Sequence, residues 1–206
     1  IIREACVGSV EQAMIAEIRK ADRVELCSRL DLDGLTPDRK IIERTMNLLS
    51  IPIKVMIRPK SGNFNYSKQD ILKMESEIDF CKNIGVSEVV FGILNKNSEV
   101  DIELTSAIAK KAAPMDITFH KAIDHVSDIE GNLERLSNVK GVTSILTSGG
   151  KDSALNGQDM IKDIIKQFSS RFKIIAAGGI TDKNLNLVHS CINSTEYHGK
   201  RIVGEL

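Results

Sequence analysis

The chain has 206 residues, and 28 Lys plus Arg balance 28 Asp plus Glu to a formal net charge of zero. That balance argues against a general nucleic-acid binder, which needs excess positive charge to displace counterions, and 4% aromatics with no Trp argue against a stacking platform for single strands. The composition, 42% hydrophobic and 27% charged, is that of an ordinary globular protein, and at about 150 residues per domain the expectation is one domain over residues 1–206.

The first apolar run, Ile1–Val7, carries Arg3 and Glu4 and so reads as a strand, not as a signal-peptide core. Ser9 with Gln12 three residues on forms a capping box, and Val10, Ala13, Met14 and Ile18 continue it as a helix. Arg23–Cys27 is the second strand. Thr36-Pro37 then supplies a cap and a first-turn proline ahead of Ile41, Ile42 and Met46. Ile53–Ile57 is the third strand. The loop after it, Arg58–Phe64, holds Gly62 among polar neighbours and reads as a mobile lid. Ser67 with Asp70 opens a helix with the stripe Ile71, Met74, Ile78 and Cys81, closed by Gly85. Glu88–Leu94 is a strand, followed by a helix capped at Asp101 through Leu104 and Ile108. Asp116–Phe119 is a strand, and Ser127 with Glu130 opens a helix carrying Ile129, Leu133 and Leu136. Val142–Leu146 is a strand, then Ile161, Ile164, Ile165 and Phe168 mark a helix. Phe172–Ala176 is a strand, Thr181-Asp182 starts the last helix with Leu185 and Val188, and Thr195–Tyr197 is the last strand.

Eight strands and seven helices in strict alternation predict an α/β fold with a parallel sheet, and eight strands close a TIM (β/α)8 barrel. Several runs are apolar nearly throughout, as parallel strands covered on both faces should be. A doubly wound sheet is the runner-up, but the first turn, Cys6-Val7-Gly8-Ser9, carries neither a dinucleotide nor a phosphate-loop motif. The last strand ends only a few residues before Leu206, so a short barrel is expected, with helix 8 missing or truncated. The start at Ile1, not Met, suggests a few residues upstream. The apolar flank left by the absent helix suggests a homo-oligomer. No apolar run approaches ~18 residues, so no membrane helix and no membrane partner are expected. Four widely spaced cysteines, Cys6, Cys27, Cys81 and Cys191, without a CxxC pair, point to the reducing cytoplasm.

In such a barrel the chemistry sits at the C-terminal ends of the strands. Glu4 and Cys6 are two residues apart and share a face, and Glu25 and Cys27 repeat the spacing. Two soft thiols on neighbouring strands suit Cu(I), although each cysteine is also readable as a small buried hydrophobe. A second constellation, Glu25, Arg58, His120, Asp124 and His198, suits acid–base catalysis on a small anionic metabolite. There Arg58 clamps the anion, His120 or Glu25 moves a proton, and Asp124 orients His120. Glu4, Thr147, Ser148, Gly149, Gly178 and Gly179 are candidate binding residues, with Gly178-Gly179 offering amides at a helix start. No nucleophile elbow surrounds Ser148. The bland alternatives are a buried ion-pair network filling the wide end of the barrel and glycines that merely permit tight turns.

The blocks ADRVELC (21–27), GLTP (34–37), MIRPKSGNFNYS (56–67), TFHKAID (118–124), LTSGG (146–150) and GGITDKNL (178–185) resemble the CutC family of copper homeostasis proteins, from residue 1 to about residue 199. The resemblance implies a cytoplasmic TIM barrel linked to copper handling, with Cys6 and Cys27 matching two cysteines proposed as Cu(I) ligands. Lys121 stands where that family usually has Arg, and the helix-8 segment and the block after His198 are cut short at Leu206.

Overall fold

Successive side chains on a strand point to opposite faces, so each short run has to satisfy two environments at once. The computed structural model describes all 206 residues. In chain order the elements are β1 (Ile2–Val7), α1 (Val10–Ile18), β2 (Arg23–Leu26), α2 (Arg39–Leu48), β3 (Ile53–Met56), α3 (Lys68–Asn83), β4 (Glu88–Phe91), α4 (Ile102–Ala112), β5 (Asp116–Phe119), α5 (Ile129–Leu136), β6 (Val142–Thr147), α6 (Gln158–Phe168), β7 (Lys173–Ala176), α7 (Leu185–Ile192) and β8 (Glu196–Gly199). The eight strands pair in sequence order, all parallel, and β8 pairs back on β1 to close the barrel. This is the TIM-barrel architecture that the alternation implies. No helix follows β8 within residues 200–206. α1 packs on α2 and α7 on α6, and Ile18 and Leu187 stay largely exposed on these two flanking helices.

Local signals explain most helix starts. Ser9 Oγ accepts from the Gln12 amide at 3.2 Å, and Ser67 with Asp70 forms a complete reciprocal capping box. Asp101 Oδ1 accepts from the Leu104 amide at 3.0 Å. Three starts differ from expectation. α2 is capped by Asp38, whose Oδ1 accepts from Lys40, while Thr36 Oγ1 accepts from the Arg58 amide at 2.7 Å and ties two loops together. α5 is capped by Asp128, one residue later than Ser127. α7 begins at Leu185, because Asn184 Oδ1 takes the Thr181 amide at 2.8 Å and holds the segment as a turn.

The larger correction concerns the strands, which are not apolar throughout. Val24, Leu26, Val55, Val89, Phe91, Ile117 and Phe119 face the helices and join the main core. The alternate positions, Glu4, Arg23, Glu25, Lys54, Thr118 and Glu196, fill the barrel instead and are buried. A TIM barrel usually fills this space with branched aliphatic side chains. Here the lower interior is a charge network. Glu4 lies level with Arg23 on one side and His198 on the other, and Lys54 lies level with Glu88. Arg23 bridges Glu4 and Glu196. Lys54 Nζ lies 3.2 Å from Glu4 and 2.8 Å from Glu88, and it donates to Thr118 Oγ1 at 2.8 Å.

Removing one partner of a buried pair leaves an uncompensated charge, so Lys54→Met should cost about 3–5 kcal/mol, and the double change Lys54→Met, Glu88→Leu should recover part of it. Urea unfolding of both variants checks this. Equal stability of Lys54→Met and the parent would contradict it.

Candidate functional site

Above the charge network the same alternation continues two residues further along each strand. Cys6 follows Glu4, Cys27 follows Glu25 and Met56 follows Lys54, and these three with Val90 form one buried cluster. The two thiols converge on one carboxylate oxygen: Cys6 Sγ lies 3.7 Å from Glu25 Oε2 and Cys27 Sγ 3.4 Å from the same atom. All three ligand atoms lie within 4.8 Å of one another, and so do those of Glu4, Glu25 and His198. Gly34, at φ +85°, packs against Cys27, where a Cβ would come within 3.1 Å of the sulfur. That close approach and positive φ both favour glycine.

Burial and charge set the protons of this cluster. Burial, helped by the nearby charges of Cys6 and Glu4, pushes Glu25 up to about 8. The hydrogen bond from Cys27 holds the Cys6 thiol well below the usual range against burial, and His198 adds to this. Cys27, the donor of that bond, is pushed well up. Burial works against a charged His198, but the Glu25 charge and bonds to Cys6 and Glu4 outweigh it, so the imidazole stays protonated well above its ordinary range. Its Nδ1 lies 2.7 Å from Glu4 and its Nε2 3.9 Å from Glu25. The cluster thus pairs a proton-poor thiol with a proton-rich thiol and a protonated acid, beside a fixed cation.

A cavity of about 750 Å³ opens above it at the C-terminal ends of the strands, with Cys6, Glu25, Met56, Arg58, His120 and His198 among its walls. Gly178 and Gly179 line the far side at φ +104° and +69°; no helix starts there, because α7 begins at Leu185. Glu4 lies fully buried beneath the cavity. Arg58 is not an open fork. Its Nη1 donates to the carbonyls of Leu32 at 2.8 Å, Gly34 at 3.0 Å and Asp33 at 3.3 Å, and its Nη2 to that of Gly62 at 3.2 Å. Asp124 does not orient His120. The short helical turn Lys121–His125 carries it toward the loop after β6, where it accepts from Thr147 Oγ1, from the Ser148 amide and hydroxyl at 2.9 Å each, and from the Gly150 amide at 2.9 Å. Thr147, Ser148 and Gly149 are therefore held in the loop's own bonds and do not line the cavity.

His120 is oriented instead by its backbone and neighbours. Its Nδ1 accepts from the Ala122 amide at 3.2 Å, and the Phe64 ring packs on it at 5.0 Å between centroids. Gly92 makes room, because a Cβ there would fall 2.5 Å from Nδ1. Burial first, and then the Arg58 charge, push His120 down to about 3. Sequence reasoning missed the roles of Arg23, Lys54, Glu88 and Glu196. Their signal was a period of two, as in Arg23-x-Glu25-x-Cys27 and Lys54-x-Met56-x-Arg58.

A histidine whose folded pKa is lowered contributes stability that is present above its ordinary 6.5 and lost as pH falls toward about 3. The unfolded chain binds the proton that the folded state excludes. In NMR the His120 ring should not titrate across the neutral range. Urea unfolding at falling pH should show His120→Phe losing less stability than the parent over that window. A ring that titrates near its ordinary pKa would contradict both.

The CutC family model matches residues 1–203. The chain is 40% identical over 197 residues to the copper homeostasis protein cutC homolog of Homo sapiens, covering 96% of this chain and 72% of that protein. It is 36% identical over 195 residues to a family protein CutC of Pasteurella multocida, covering 95% and 80%. A solved CutC structure from Streptococcus agalactiae superposes with a TM-score of 0.93 at 28% identity, over 98% of this chain and 99% of that one. A dihydrodipicolinate synthase from Bacillus anthracis, at TM-score 0.69 and 11% identity over 96% of this chain and 69% of that one, shares the fold alone. The chain belongs to the CutC family.

Proposed function

We propose that this protein handles copper in the cytoplasm by holding Cu(I) between Cys6 and Cys27 at the floor of the barrel mouth. The observation that carries this reading is the convergence of two thiols from adjacent strands on one carboxylate oxygen, with the Met56 side chain in the same cluster. Cu(I) is soft and takes thiolate and thioether sulfur in low coordination numbers, which matches this donor set better than a hard, oxygen-rich one. Thiols bind metal as thiolates, so an entering ion displaces protons. The Glu25 carboxyl, which both thiols face, stays neutral beside them, and the His198 cation offsets the negative charge of a two-thiolate centre. The copper homeostasis name of the human relative agrees with this chemistry. Four free cysteines and no disulfide agree with a reducing compartment.

The cavity volume supports a second reading beside the first. About 750 Å³ is far more than one ion fills and lies in the range of small-molecule sites. On this reading the mouth also takes a small anionic metabolite.

Competition against a Cu(I) chelator tests the copper reading. The Cys6→Ser, Cys27→Ser double variant should lose tight binding, whereas Cys81→Ser, Cys191→Ser should keep it. Unchanged affinity in the first variant removes the reading. Cu(I) should also raise the melting temperature of the parent by mass action, and not that of the first variant.

A further inference from the structure

Two buried N–H donors on the β3 and β5 side of the mouth have no well-formed hydrogen bond, Arg58 Nε and His120 Nε2, and the buried Tyr66 hydroxyl beside Arg58 has none either. Arg58 and His120 are at least nine-tenths buried and both line the cavity. Because His120 Nδ1 accepts from Ala122, the neutral ring carries its proton on Nε2, so this atom is a donor and not a base. Leaving such groups unpaired costs about 1–3 kcal/mol each, which makes an unmet donor pair beside a cavity informative. The Phe64 ring lies against both residues, 4.9 Å from the Arg58 guanidinium carbon and 5.0 Å from the His120 ring. The loops after β3 and β5 give the cavity Arg58, Lys121, His120 and His125, and no carboxylate.

We propose that Arg58 Nε–H and His120 Nε2–H form a seat for the oxyanion of a small carboxylate- or phosphate-bearing molecule, with Phe64 as the side chain that covers the seat and swings aside on binding. The proposal rests on the second reading of the cavity and is independent of copper. Two N–H donors on cavity-lining residues call for an acceptor on the ligand, and the guanidinium charge selects an anion. The Arg58 terminal nitrogens are already fixed on four carbonyls, so its Nε–H is held in place before the ligand arrives. His120 stays neutral across the neutral range, so it donates without itself carrying charge. The Thr36 hydroxyl holds the Arg58 amide at 2.7 Å, and Gly92 leaves the space that His120 fills, so both donors stand on fixed backbone; the Phe64 carbonyl accepts from the Leu94 amide at 2.9 Å, so the movement proposed is that of its side chain alone. Removing Phe64 removes the work of displacing its ring.

The test is an NMR titration of the full chain with inorganic phosphate in one series and pyruvate in the other, following the His120 Nε2–H resonance. A saturable shift with either probe is expected, and the stronger one tells phosphate from carboxylate. The Cys6→Ser, Cys27→Ser variant should show the same shift. His120→Phe, with its fold checked by melting temperature, should weaken binding by about tenfold, the loss of one hydrogen bond. Phe64→Ala should tighten it. Binding that persists at full strength in His120→Phe, with shifts elsewhere in the mouth, overturns the seat and leaves the metabolite reading standing. No saturable change anywhere in the mouth with either probe overturns both. Weaker binding by Phe64→Ala overturns the role given to the ring.

Discussion

The structure depends on one fully buried carboxylate, that of Glu4. It is held by Arg23, by Lys54 at 3.2 Å and by His198 at 2.7 Å, cations that come from β2, β3 and β8. Burial alone would favour the neutral acid, but these cations hold it well below the usual carboxylate range. Several kcal/mol of desolvation per ion would be lost if any one were left alone, so the network is stable only when the barrel is closed with β8 against β1. Closure and charge balance thus require each other.

That balance shapes the site above. Arg23, Lys54 and a protonated His198 match Glu4, Glu88 and Glu196, three positive groups against three negative ones. Glu25 and the two cysteines then stand in excess. If they ionise, they add negative charge that the floor does not neutralise, and burial first, then the charges of Cys6 and Glu4, push Glu25 up to about 8. A monovalent soft cation, the occupant proposed above, would replace the charge of one departing thiol proton, so it could enter without adding to that excess.

The mouth is divided chemically. The β1 and β2 side offers sulfur and carboxylate over the charge network. The β3 and β5 side offers N–H donors around Phe64. A cation suits the first and an anion the second, so the two proposed occupants do not compete for the same donors.

Much of this was legible in the chain. Alternating strand and helix signals, caps such as Ser67 with Asp70, and the polar residues ending the strands determined an eight-stranded barrel and its rim, because these depend on local periodicity and on backbone chemistry. The pairs Glu4-x-Cys6 and Glu25-x-Cys27 determined that carboxylate and thiol share a face. Only the tertiary structure decided which residues meet. It turned Asp124 toward Thr147 and Ser148 and away from His120, engaged the Arg58 terminal nitrogens with loop carbonyls, and brought Arg23, Lys54 and Glu196 to Glu4. The physical reason is that a side chain's face follows from a period of two along one strand, whereas its partner is set by the register between strands far apart in the chain, and closure alone sets that register.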